Sequence, residues 1–267
     1  MPSLTSHKIC RDADASWWEL RVSTNSSDCY RPHTHDEYSI GIVDAGTAVF
    51  RHPEGPTAIG PGAVVLIEPQ VVHCCNPMDL QRWTYRMLFL KADWLHEAMS
   101  HHWGMPVQRL EFLTHCTTDL AVEMAVHSLC LASPDMTRRL AAELPPLLAS
   151  LARPAAARTN AAVPPELAPA ESLLLLEGGA EPSVKALADA CGMTPSRFIR
   201  LFRKHYGMTP GDYLQNRRVN EARSLLGQGM SISEAAFAMG FADQAHLQRT
   251  FKARHAMTPG HYRDPRR

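Results

Sequence analysis

The sequence predicts an α+β chain: a strand-rich N-terminal part forming an antiparallel sandwich or barrel, a helical segment, and an all-helical C-terminal part with two helix-turn-helix units. Three observations predict it. Short runs of strand-forming residues, separated by Gly and Pro turns, fill the stretch from Trp17 to Leu90. Apolar residues recur three and four apart from Lys91 onward. One phrase, "HYGMTPGDY" at His205–Tyr213, returns as "HAMTPGHY" at His255–Tyr262.

At 267 residues the chain is long enough for two domains, expected at residues 1–152 and 170–267 with a linker at 153–169. Lys plus Arg equals Asp plus Glu at 27 each, yet 14 basic against 9 acidic residues from position 167 onward leave that part at +5 and the rest at −5. A basic C-terminal part suits nucleic acid, and an acidic N-terminal part a different task. The 7 cysteines form no CxxC pair, and the N-terminus lacks the apolar stretch of a signal peptide, so a reducing, cytoplasmic setting is expected. The longest apolar runs, "AVVLI" and "SLLLL", fall short of the ~20 residues of a membrane helix, and no membrane partner is expected.

The strand runs are "YSIGIV", "TAVF", "AVVLIE" and "WTYRMLFL", punctuated by "DAG", "HPEGP" and "GPG". Helices follow in "ADWLHEAMSHHW", "TDLAVEMAVHSLCLA" and "PDMTRRLAAELPPLLASLA". Pro145 and Pro146 are expected to kink or divide the last, because proline lacks the amide proton and clashes with the preceding turn. Leu120, Met124, His127 and Leu131 form a stripe that either packs on the barrel or pairs with a second subunit. "RPAAARTNAAVPPELAPA" has no hydrophobic period and reads as linker, while "AESLLLLEGG" reads as a helix ending at Gly178 and Gly179.

The repeated phrase belongs to a longer duplication. Shifted by 49 positions, Phe198 meets Leu247, Arg200 meets Arg249, Phe202 meets Phe251 and Tyr213 meets Tyr262. Each copy reads as helix, glycine turn, helix. In the first, "SVKALADA" leads to a turn at Cys191, Gly192 and Met193, with Thr194 as N-cap and Pro195 at the first helical position. The helix that follows buries Phe198, Leu201 and Phe202 and turns Arg197, Arg200, Arg203 and Lys204 to solvent. In the second, "SISEAAFAMGF" is capped by Ser231 or Ser233, and Asp243 caps a helix that buries Leu247 and Phe251 and exposes His246, Arg249, Lys252 and Arg254. Thr209 and Pro210 start a connecting helix, "GDYLQNRRVNEARSLL", that would hold two reading helices about one DNA turn, ~34 Å, apart.

The stretch from "GMTPGDYLQNRRVNEARSLL" through "SISEAAFAMGFADQAHLQRTFKARHAMTPGHYR" resembles the C-terminal DNA-binding domain of the AraC/XylS family of bacterial transcription regulators, over about Ala170 to Arg263. The resemblance implies a seven-helix domain with two reading helices. By position it places base contacts at Ser196, Ile199 and Arg200 in the first and at Ala245, His246 and Arg249 in the second. Ser196, Ile199 and Ala245 are small or apolar, so direct reading falls on Arg200, Arg249 and His246, with Arg197 beside them. Arg203, Lys204 and Lys252 are left as basic groups for phosphates.

"RPHTHDEYSIGIVDAGTAVF" and "IGPGAVVLIEPQVVHCCNPMD" resemble the small cupin barrel that many members of that family carry in front. The resemblance implies a cupin-like domain binding a small-molecule effector, with His33, His35, Tyr38, His73, Trp83 and Tyr85 as candidate effector contacts, followed by a helical dimerisation segment. Trp83 and Tyr85, like Tyr38 and Ile40, share a parity that either lines a pocket or fills the core. Metal-dependent cupin enzymes resemble the barrel too, with His33, His35 and His73 as three imidazole ligands, so a metal-dependent enzyme or metal sensor fused to a DNA-binding domain is the alternative. Against it, Ser39 and Ile40 stand where that pattern has a carboxylate and Val71 where it has glycine. The preferred reading therefore has no metal, no cofactor and no catalysis. Adjacent Cys74 and Cys75 point opposite ways on a strand and read as inert thiols. The expected partners are promoter DNA, a small-molecule effector, a second copy of the chain, and RNA polymerase if the protein is an activator.

Overall fold

The computed structural model describes residues 5–78, 81–156, 163–175 and 182–264. Its N-terminal domain is two sheets face to face. Strands β1 (Ser6–Cys10), β2 (Trp18–Ser26), β3 (Tyr38–Ala45), β4 (Ala48–His52), β5 (Gly55–Ile59), β6 (Val64–Ile67), β7 (Cys74–Pro77) and β8 (Trp83–Leu90) are followed by the short β9 (Arg109–Phe112), β10 (Cys116–Thr117) and β11 (Ala152–Ala155). One sheet runs β1-β2-β8-β3-β6-β10 and the other β5-β4-β7. The four expected runs become β3, β4, β6 and β8. The others are short, polar or bounded by Pro and Gly, and tertiary pairing rather than local pattern defines them.

Strand β3 shows why "YSIGIV" is apolar without a break: both of its faces are covered. Tyr38, Ile40 and Ile42 pack with Leu20, Leu66, Leu88 and the flanking helices. Val43 packs with Ala48, Phe50, Ile59, Trp83 and Tyr85 between the sheets. A strand buried on both faces loses the alternation of a half-exposed one. The "DAG" turn closes with Gly46 at φ +78°, where a side chain would run into the Arg82 carbonyl.

Helices α1 (Ala92–Trp103), α2 (Leu120–Leu129) and α3 (Met136–Leu151) cover the outer face of the larger sheet. Contrary to expectation, α3 runs through Pro145 and Pro146 undivided. Leu140, Leu144 and Leu148 are fully buried at four-residue spacing, while Ala141 and Ala142, whose carbonyls lose their partners to the prolines, sit on the exposed side where water serves them. The α2 stripe does not pack on the barrel: Leu120 and Met124 are 66% and 65% exposed, while Val126 and Leu129 face inward. Strand β11 pairs with β9 and takes up the first residues of the stretch expected as linker.

Seven helices follow among the described residues: α4 (Ala168–Leu175), α5 (Val184–Ala190), α6 (Pro195–Tyr206), α7 (Pro210–Gly227), α8 (Ile232–Ala238), α9 (Gln244–His255) and α10 (Pro259–Arg263). Gly178 and Gly179 lie outside the described residues. The expected punctuation is present. Thr194, Thr209, Ser231, Asp243 and Thr258 each accept a backbone N–H at a helix start, and Gly192 and Gly240 make the turns at φ +61° and +66°. Leu214 of α7 belongs to the first unit's core, whereas Val219, Ala222 and Leu226 belong to the second's. One rigid helix thus serves both. Among the described residues no helix is long and apolar enough to cross a membrane.

Candidate effector cavity and nucleic-acid interface

The barrel docks on the second helix-turn-helix unit through polar contacts at its mouth. Along α7, Asn216, Asn220 and Arg223 lie at helical spacing i, i+4, i+7 and are buried, forming a polar stripe that faces the barrel. Asn216 and Asn220 donate to the Thr34 carbonyl at 3.2 and 2.8 Å, and Asn216 also bonds the Thr34 hydroxyl at 2.8 Å. Arg223 donates to the Glu37 carboxylate. The Arg31 amide bonds the Ala253 carbonyl of α9 at 2.8 Å, and Ile9 of β1 is buried in the core of the second unit.

Behind this seam lies a cavity with walls from both domains. The barrel gives Arg21, Tyr30, His33, His35, Ile42, Val43, Val65, His73, Trp83, Tyr85, Met87 and Phe89, and the C-terminal domain gives Arg223, Arg254, His255 and Met257. Of the sequence-predicted effector contacts, His33, His35, His73, Trp83 and Tyr85 are there. Tyr38 is not: its hydroxyl bonds His96 and the backbone of Leu110, fixing it in the core on the far face of β3.

Three of the imidazoles have set tautomers. Nδ1–H of His33, His35 and His73 donates to the carbonyls of Arg31, Glu37 and Val71 at 2.9, 2.8 and 2.9 Å, so each Nε2 carries the lone pair. Their ring nitrogens do not converge as a trio of ligand atoms. Ser39, which stands at the expected carboxylate position, bonds His35 Nε2 instead, at 3.3 Å. Burial, reinforced by His73, holds His33 and His35 well below the ordinary imidazole pKa, and burial alone brings His73 to about 4. His255 is likewise lowered, by burial and then by the charges of Arg21 and Arg223.

Burial would lower the Arg223 guanidinium, but Glu37 outweighs it and raises the group above its ordinary range, whereas burial lowers Arg254 against the pull of Asp212. Burial pulls the Glu37 carboxyl upward, but Arg223 outweighs it and leaves the group below its usual range; Glu19 is held down similarly, by Arg21, Arg11 and Arg223 against burial. Among the described residues no carboxylate lines the cavity, and Arg21 Nη2, Arg254 Nε, His255 Nε2 and Trp83 Nε1 are buried without a hydrogen-bond partner. Unpaired donors over an apolar floor of Ile42, Val65, Met87 and Phe89 suit a molecule with an anionic head and an apolar body. Cys75 lines the cavity as a neutral thiol, its pKa pushed far up by burial, and all 7 cysteines are free.

Sequence reasoning missed Arg21, Tyr30, Arg223, Arg254 and His255. For Arg254 it erred: the side chain is 1% exposed rather than solvated. The signal was present, because Leu247, Phe251 and Arg254 recur at i, i+4, i+7 and so share the inward face. Arg223 follows Val219 by four in the same way.

On the opposite face of each unit the expected basic groups are displayed. Ser196, Arg197, Ile199, Arg200, Arg203 and Lys204 of α6 are exposed, as are Ala245 and Arg249 of α9, with His246 half-buried against Phe241; Lys252 is exposed as well but stands at the barrel seam, its ammonium 3.7 Å from Asp28 Oδ1. Thr194 and Asp243 set where each of these helices begins, and Phe198, Phe202, Leu247 and Phe251 set which side faces out.

The comparisons agree with this architecture. Residues 22–144 match the model of an AraC-like ligand binding domain, and residues 187–265 that of a helix-turn-helix domain. The uncharacterized HTH-type transcriptional regulator YbfI of Bacillus subtilis (strain 168) is 29% identical over 226 residues, 80% of this chain and 80% of its own length. The regulator GlxA of Rhizobium meliloti (strain 1021) is 40% identical over 79 residues, 29% of this chain and 24% of its own. Unsaturated fatty acid bound ToxT from Vibrio cholerae strain SCE256 superposes with TM-score 0.60 over 95% of this chain and 97% of its own at 12% identity, and so shares the fold. ToxT bound to (E)-4-(8-methylnaphthalen-1-yl)but-3-enoic acid superposes at 0.52, with 12% identity, over 92% of this chain and 98% of its own. With a ligand-binding barrel in front, two helix-turn-helix units behind and named regulators as relatives, the chain belongs to the AraC family of transcriptional regulators.

Proposed function

We propose that this regulator senses a small carboxylate-bearing apolar molecule held in the cavity between barrel and DNA-binding domain. The observation that carries the reading is the composition of that cavity: unpaired arginine and tryptophan N–H groups over an apolar floor, contributed by both domains. The ligands of the two ToxT structures, a fatty acid and an arylbutenoic acid, have the same build. An effector touching Arg254 and His255 of α9 as well as the barrel has a different affinity for docked and undocked arrangements, and that difference is what can shift DNA binding.

In this reading promoter DNA is contacted by α6 and α9, with Arg200, Arg249 and His246 reading bases, Arg197 beside them, and Arg203, Lys204 and Lys252 holding phosphates. Domain boundaries near residues 152 and 170 draw support from the end of α3 at Leu151 and the start of α4 at Ala168, with β11 carrying the first domain on to Ala155. The exposed Leu120 and Met124 of α2 would serve a homodimer. The protein acts in the cytoplasm by binding, not catalysis, and as an activator it would touch RNA polymerase. The test is a thermal-shift screen of fatty and aryl-alkanoic acids on the full chain, followed by DNA binding with and without the hit. Carboxylates that stabilise the protein and change operator affinity support the reading; neutral amides of equal size doing the same would overturn it.

A further inference from the structure

A second cluster of metal-ligating side chains lies outside the cavity. His52 ends β4, Glu54 sits in the turn to β5, and His115 precedes β10. One ligand atom from each lies within 4.8 Å of the others. The two rings stack at 3.8 Å between centroids, and His115 Nε2 is 3.2 Å from Glu54 Oε1. Two nitrogens here, His52 Nε2 and His115 Nδ1, are buried with no hydrogen-bond partner, although buried polar atoms are normally paired. His115 Nδ1 faces Glu68 Oε2 at 3.5 Å without completing a hydrogen bond, while the other oxygen of Glu68 is held by the Phe112 amide at 2.9 Å.

We infer that His52, Glu54 and His115 form a binding site for a divalent transition-metal cation of the zinc type, tying the β4–β5 hairpin to the segment that enters β10. Two imidazoles and a carboxylate favour zinc and its neighbours over magnesium or calcium, which take oxygen ligands. His115 would ligate through Nε2, beside Glu54, and turn its Nδ1–H to Glu68. Such a carboxylate behind a ligating histidine fixes the tautomer and raises ligand basicity. His52 would ligate through its orphaned Nε2 with the proton on Nδ1, giving up a long contact of 3.3 Å from the Glu54 amide. The cation takes up the orphaned His52 Nε2 and fixes the proton of His115 on Nδ1, facing Glu68, and the solvent-open cleft beside Thr114 and Cys116 leaves room for water as a further ligand.

The experiment uses the full chain, stripped with a chelator and titrated with zinc against a chromophoric competitor, then with cobalt followed by visible absorption. One zinc per chain is expected, with His52→Ala and His115→Ala each weakening it at least ~10-fold. Glu54 is 72% exposed, so Glu54→Gln leaves the fold intact and its weaker zinc binding reports a lost ligand rather than a lost structure. His101→Ala, at an imidazole 82% exposed on α1, leaves affinity unchanged. Absence of zinc binding, binding indifferent to His52→Ala and His115→Ala, or binding lost in His35→Ala but kept in His115→Ala would each overturn the site.

Discussion

Arg223, about three-quarters of the way along the connecting helix α7, donates to the Glu37 carboxylate at the barrel mouth, so one buried ion pair joins the two domains. Arg223 is also a wall of the cavity. Removing one partner strands the other in a largely buried site. Arg223→Met should cost ~1–3 kcal/mol, less than a fully buried pair because Glu37 is 21% exposed, and Glu37→Gln added to it should restore part of the loss. Urea unfolding of the two variants checks this. A double variant as unstable as the sum of the singles would show the pair uncoupled.

Arg254 should anchor the effector's anionic head. Arg254→Ala is expected to weaken a carboxylate ligand at least ~10-fold, the loss of a charge-assisted hydrogen bond worth ~1.5–3 kcal/mol. Trp83 lines the same cavity, so quenching of its fluorescence gives the binding curve directly.

The buried histidines make stability depend on acid. His33, His35, His73 and His255 are all lowered in the folded state, so the unfolded chain binds more protons between the two sets of values. Their contribution is whole above the ordinary value of 6.5 and is lost as pH falls, for His73 down to about 4. Each such histidine adds up to ~1.4 kcal/mol per pH unit to the slope of unfolding free energy in that window. Midpoints measured from pH 7 to 5 should fall, and fall less steeply in His73→Gln.

Arg200→Ala and Arg249→Ala should each reduce operator affinity by ~1–3 kcal/mol and relax preference at one base position, whereas Lys252→Ala should weaken all sequences alike. Binding measured by fluorescence anisotropy on operator and scrambled duplexes separates the two outcomes.

The fold was largely legible because its boundaries are local chemistry. Thr-Pro at 194–195, 209–210 and 258–259 and the glycines at 192 and 240 specify helix starts and turns with no help from distant residues. The cavity was half legible. Barrel residues such as His33 and Trp83 stand in a recognisable pattern, whereas Arg223 and Arg254 join them only because the C-terminal domain folds back, a relation between residues some 190 apart. Their inward periodicity was readable, but an arginine on an apolar face has meaning only once the opposing surface is known. Pro145 and Pro146 misled for the converse reason: leucines packed every fourth residue outweighed a local rule.

Helix α9 carries Arg249 outward and Arg254 inward, five residues and ~7.5 Å of helix apart. In the proposed reading a single rigid rod is therefore shared by two vocabularies, one for operator sequence and one for metabolite shape. Substitutions that refit positions 254 and 255 to a new effector will tilt or slide the rod that presents Arg249. Ligand preference and operator preference in this lineage are thus expected to change in paired steps, and a chimera swapping the barrel alone should inherit a mismatched seam.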